Sequence, residues 1–155
     1  MATLSATLLD TVTWYNSARD TYANIQGAVA SSNLYHNDTF IMVGQRFVSP
    51  YWDEFWVLRS GLRFDLSPLP DGTYITAATL KLDGFGDSST DNFDITIVGG
   101  VFGDPPVHAD YNDGLAVSFG SINSSTYAAG WNNITVNAAG LVYLNDAIST
   151  GEVRL

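Results

Sequence analysis

Apolar and polar residues alternate along most of this chain with the two-residue period of β-strands. Leu8 to Tyr15 alternates and predicts a first strand, and Arg19 to Ile25 (RDTYANI) reads as a second short extended segment. Ala28 to Asn37 is small and polar and predicts a loop. Phe40 to Phe47 (FIMVGQRF) is strand-like, with Gly44 marking a bulge, and Ser49 to Asp53 reads as a turn. The strongest strand pattern is Phe55 to Leu66 (FWVLRSGLRFDL). Trp56, Leu58, Leu62 and Phe64 share the parity assigned to the core, whereas Phe55, Val57, Arg59, Arg63 and Asp65 share the other. A turn at Ser67 to Gly72, with two prolines and an Asp-Gly step, leads to a strand over Tyr74 to Phe85 that has Leu80 and Leu82 on its apolar face. An Asp/Ser-rich turn, Gly86 to Asn92, then leads to the alternating Phe93 to Val101.

Further on, Gly103 to Gly114 reads as a long loop, Val117 to Ile122 as a short strand and Trp131 to Val136 (WNNITV) as another. Asn137 is placed to cap a helix over Ala138 to Ile148, where Leu141, Leu144 and Ile148 recur at helical spacing. Gly140 in its first turn works against that helix, and Gly151 stops it. Glu152 to Leu155 starts another strand. Many short strands and one short helix predict a single all-β domain over residues 1–155, an antiparallel β-sandwich of jelly-roll type whose C-terminal strand is cut short.

Composition narrows the function. The 155 residues include 6 Lys+Arg against 16 Asp+Glu, a formal net charge of −10. So acidic a chain does not fit nucleic acid or an anionic membrane, which attract basic surfaces. With no cysteine, disulfide scaffolds, thiolate zinc sites and cysteine nucleophiles are excluded. No apolar run has the length of a membrane-spanning helix, and no basic residue precedes the apolar patch of MATLSATLLD, so a secretory signal is not predicted there. Glu occurs only at positions 54 and 152, and Lys81 is the only lysine. The Asp-, Ser-, Thr- and Asn-rich remainder suits a secreted or virion surface.

Three groups of residues carry candidate chemistry. Arg59, Arg63, Lys81, Asp65 and Asp83 fall on matching parities of two successive strands. They predict either a polar patch that hydrogen-bonds sugar hydroxyls or carboxylates, or cross-strand ion pairs, Arg63 with Asp83 and Lys81 with Asp65. Tyr51 and Trp52 lie in a turn and are candidates for an aromatic platform under a sugar ring, while the neighbouring Trp56 is expected in the core. Asp83, Asp87, Asp91 and Asp94, with Asn92, crowd one hairpin turn, and Asp104, Asp110, Asn112 and Asp113 a second loop, the oxygen-rich setting that calcium takes. Neither matches a calcium-loop spacing, and Asp residues cap turns without any metal. His36 and His108 stand apart among loop residues, and no G-x-S-x-G elbow is present.

The stretch Leu58 to Leu82 (LRSGLRFDLSPLPDGTYITAATLKL) resembles the DNRLRE-type β-sandwich domain, with Leu62 to Leu66, Leu69-Pro70, Ile75, Ala78 to Leu80 and Leu82 as the matching residues. Asp20 to Tyr22, Trp131 to Val136 and the segment from Asn137 to Ile148 look like the opening, late strand and short helix of that family. The resemblance implies a module similar to carbohydrate-binding modules and to phage or surface structural proteins, and therefore binding or scaffolding more than catalysis. The expected function is a non-catalytic carbohydrate-binding or adhesion domain of an extracellular or virion surface protein, with a polysaccharide or glycan as partner. The alternative is a structural virion or fibre subunit that self-associates or contacts neighbouring proteins.

Overall fold

A computed structural model describes residues 5–36, 40–48, 54–70, 72–87 and 89–155. In chain order the elements are β1 (Thr7–Ala18), α1 (Tyr22–Gln26), β2 (Asn33–His36), β3 (Gly44–Val48), β4 (Glu54–Asp65), β5 (Thr79–Gly84), β6 (Asp94–Gly100), β7 (Gly114–Asn123), β8 (Gly130–Thr135), α2 (Ala138–Ala147) and β9 (Glu152–Arg154). The fold is all-β, built of antiparallel sheets of sandwich-like kind without a closed barrel, and its longer helix lies near the C-terminus. Contacts divide the chain into two compact units. One draws on residues 5–65, 100–114 and 154–155, the other on residues 66–99 and 115–153.

The first unit is organised by β1 and β4. Thr, Val, Trp and Tyr make β1 a good strand, and it pairs with β4 from Thr7↔Asp65 to Ala18↔Phe55, with a bulge between Leu8 and Asp10. β2 and β3 flank this pair in the order β2-β1-β4-β3. Val12, Trp14, Val57, Ile25 from α1, and Phe102 and Tyr111 from the segment after β6 form the core. Trp14 meets the Phe102 ring edge-on at 5.4 Å, and its indole N–H donates to the Val107 carbonyl at 2.9 Å. Gly61 has to be glycine: a Cβ there would lie 2.8 Å from the Phe102 ring and 2.9 Å from Val12.

Four local expectations are corrected here. Residues 22–26 of the expected second strand form α1, because Thr21 caps it by accepting from the Asn24 N–H and a helical turn carries Ile25 into the core. The expected loop at 28–37 contains β2, which pairs with β1 from Val12↔His36 to Tyr15↔Asn33. The strand expected from Phe40 begins only at Gly44. On β4 the main core takes Val57 and Gly61 rather than the Trp56 parity, since α1 and residues 100–114 cover that face; of the expected set only Leu62 is buried. β4 is apolar at both parities, so alternation alone did not select a face.

Arg59 ties this cover to the sheet. Its guanidinium donates to the carbonyls of Gln26 (2.8 Å) and Tyr111 (3.0 Å) and to Asn112 Oδ1 (2.6 Å), and it lies 4.4 Å from the Tyr111 ring centre. At the end of the chain, Leu155 exchanges both backbone hydrogen bonds with Leu62 (2.8 and 2.9 Å).

In the second unit β5 pairs with β8, and β6 with β7. Asn137 caps α2 as expected, accepting from the Gly140 N–H, and Gly151 (φ 78°) closes the turn that follows. Gly140 is disfavoured in a helix but needed for packing: a Cβ would fall 2.4 Å from Val136 and 2.8 Å from Phe119. Asn145 of α2 exchanges two hydrogen bonds with the Ile75 backbone (2.8 and 3.0 Å), as a paired strand residue would. Ile97, Phe119, Ile134, Val136 and Leu144 are buried in this unit.

Replacing Arg59 with Met keeps the stem but leaves the Gln26 and Tyr111 carbonyls and Asn112 without their donor. The expected loss is about 2–4 kcal/mol of unfolding free energy, measured by urea denaturation followed by circular dichroism.

Candidate functional site

The β5–β8 register pairs Thr79↔Thr135, Leu80↔Ile134, Lys81↔Asn133, Leu82↔Asn132, Asp83↔Trp131 and Gly84↔Gly130. Successive strand residues face opposite ways, so Leu80, Leu82, Asn132 and Ile134 share one side. Thr79, Lys81, Asp83, Trp131, Asn133 and Thr135 share the other, and all six are exposed. Trp131 is 71% exposed, an extreme value for the largest apolar side chain within a paired strand. Phe85, two residues beyond Asp83, is fully exposed.

Local structure holds Trp131 in this position. The buried Asn132 accepts from the Ala128 N–H (3.0 Å) and donates to the carbonyls of Ala128 and Gly130 (both 2.8 Å), which closes the turn immediately before Trp131. Gly84 makes room for that turn, because a Cβ there would lie 2.2 Å from the Ala128 carbonyl oxygen and 2.5 Å from Asn132 Nδ2. Gly130 takes φ 92°, a conformation that favours glycine. The Tyr127 ring packs against Gly84, and its phenol is pushed above the usual value, first by burial and then by the Asp83 carboxylate.

This face exposes an aromatic ring that can stack and side chains that can donate and accept hydrogen bonds. An indole face accepts the apolar C–H side of a pyranose, Asp83 only accepts hydrogen bonds, Lys81 only donates, and Asn133 does both. Lys81 and Asp83 are therefore the two expected binding residues that meet on one face. Arg59, Arg63 and Asp65 stand on β4, in a different sheet, so the expected five-residue patch does not lie on one sheet. Arg59 is engaged as described, and Arg63 pairs with Asp104. In the β5–β8 register Lys81 stands opposite Asn133 and Asp83 opposite Trp131. Tyr51 and Trp52 lie outside the described residues.

The acidic turns are knit by their own hydrogen bonds. Asp87 accepts from the backbone and hydroxyl of Ser89 (both 2.8 Å), which lowers its pKa, and Asp94 accepts from Asn123 (2.8 Å), while Asp91 is exposed. In the second acidic loop Asp110 accepts from the N–H groups of Gly103 (3.1 Å) and Val107 (2.8 Å). Among the described residues no group of three or more His, Asp or Glu side chains converges as metal ligands. His36 contacts the buried Asp10 at 2.8 Å, and His108 meets the Ser31 hydroxyl at 3.0 Å.

Trp56 belongs to a second aromatic group. It stacks on Tyr15 (5.2 Å), which stacks on Tyr35 (5.6 Å), and Arg46 lies 5.9 Å over the indole. Stacking consumes most of these ring faces. Trp131, by contrast, is in none of the ring–ring contacts among the described residues. Sequence reasoning missed Trp131, although the signal was there: in WNNITV it has the parity opposite to Ile134 and Val136.

Asn132→Ala is expected to lower unfolding free energy by about 1–3 kcal/mol, seen as a lower urea midpoint, because it strips partners from backbone groups of the turn. Tyr127 has a raised pKa in the fold, so its stabilisation is complete below the unfolded value of about 10 and is lost as pH rises through the folded value. The Tyr127→Phe protein should therefore show a shallower loss of melting temperature above pH ~10 than the parent.

No protein-family model, no curated protein and no solved structure matches this chain.

Proposed function

We propose that this chain is a non-catalytic carbohydrate-binding or adhesion domain of an extracellular or virion surface protein, and that it binds its glycan on the open β5–β8 face. One observation carries the reading: Trp131, 71% exposed on a regular strand, stands directly opposite Asp83 with Lys81 and Asn133 on the same face. An aromatic side chain left in water gains nothing from core packing, and rigid strands hold a recognition surface better than loops do. The resemblance of Leu58 to Leu82 to DNRLRE-type domains points the same way, as does an acidic composition unsuited to nucleic acid.

A second reading, a structural subunit working through protein contacts, has its own support. Phe40, Met42, Val43 and Phe47 are exposed on or just before β3, which ends the β2-β1-β4-β3 order. An apolar edge of that kind suits strand addition by a neighbour.

Affinity electrophoresis against a panel of neutral and acidic polysaccharides, run with calcium and with chelator, tests the first reading. At least one polymer is expected to retard the protein, and Trp131→Ala, with unchanged circular dichroism, to run unretarded. No retardation by any polymer, or equal retardation of the variant, would overturn it.

A further inference from the structure

We infer that the ligand of the β5–β8 face is a neutral, hydroxyl-rich glycan rather than an acidic one; the inference rests on the glycan-binding reading of that face. The argument is one of charge. The unit that carries the face, residues 66–99 and 115–153, contains Lys81 as its single cation against seven Asp and Glu residues, and all five arginines of the chain lie in the other unit. On the face itself Lys81 stands alone against Asp83, whose carboxylate shares the Trp131 register position. A polymer with a carboxylate or sulfate on every sugar would therefore bring repeated negative charge to a surface already negative. It would find one lysine to pair with and one carboxylate directly beside the stacking ring.

Neutral sugars meet the same groups favourably. A pyranose stacked on Trp131 turns its rim of hydroxyls toward the neighbouring strand. There Asp83 accepts two O–H bonds from a vicinal diol, and these are charge-assisted. Lys81 and Asn133, the next outward-facing pair along the strands, donate to hydroxyl oxygens of the same or the next sugar. Asp83 is thus the group that sets specificity: it rewards a diol and repels an acid.

The test compares polymers that share a backbone. Hydroxyethylcellulose, xylan, mannan and dextran, each with its carboxymethylated derivative, are run in affinity gels against the whole chain at low and at high salt. The expected result is retardation by a neutral member that is insensitive to salt. Its carboxymethylated form should bind about tenfold more weakly at low salt and recover part of the difference when salt screens the charge. Asp83→Asn, an exposed substitution checked by circular dichroism, should weaken the neutral ligand by about tenfold and narrow the gap between the two forms. Preference for the carboxymethylated polymer, weakened by salt, would overturn the inference and leave the glycan-binding face standing. So would an Asp83→Asn protein with unchanged selectivity. Failure of every polymer to bind would remove both.

Discussion

Strict alternation of side chains along a β-strand is the constraint from which the proposed site follows. In β8 the buried positions are Asn132 and Ile134, and once these point inward, Trp131, Asn133 and Thr135 point outward. The β5 register then sets Asp83 against Trp131 and Lys81 against Asn133. A slip of one residue would bury Trp131 and expose Ile134. The interactions that oppose that slip are also those that build the face: Ile134 in the core, and Asn132 bonded to both sides of the preceding turn.

Close approaches of backbone recur as the means by which elements are held. Gly61 admits the Phe102 ring in the first unit, while Gly84 admits the 128–130 turn and Gly140 admits Phe119 and Val136 in the second. Each is a place where a methyl group would force the backbone or a packed ring to move, and protein interiors have little free volume to absorb that. Polar side chains complete the work where backbone groups lack strand partners. Arg59 serves the carbonyls of α1 and of the 108–112 turn, and Asn145 serves Ile75. Several residues that look like ligands in the sequence are spent in this way. Arg59, Asp104, Asp110 and Asn112 all satisfy internal partners, and the structure needs them for that purpose.

Charge is distributed unevenly along the chain, and this separates the two aromatic groups. Arg46 lies over the Tyr35–Tyr15–Trp56 stack, whose rings already cover one another. Trp131 keeps its ring open beside one lysine and one carboxylate. Stacked rings stabilise a sheet, whereas an open ring with polar neighbours is left free for a ligand to cover.

The sequence by itself determined the all-β class, most of the longer strands, the capped C-terminal helix and the stop at Gly151, because each rests on local chemistry: period-two alternation, an Asn cap, a left-handed glycine. It also placed Lys81 and Asp83 on one face, since both lie on one strand two residues apart. Only the tertiary structure decided which face of β4 is the core, because Phe55 to Leu58 is apolar at both parities and the choice belongs to α1 and residues 100–114. Only the structure turned residues 22–26 into a helix, where the burial of Ile25 outweighs a weak extended pattern. And only strand pairing brought Trp131 beside Asp83, across 48 residues of chain, because register between distant segments is set by long-range packing that no local pattern encodes.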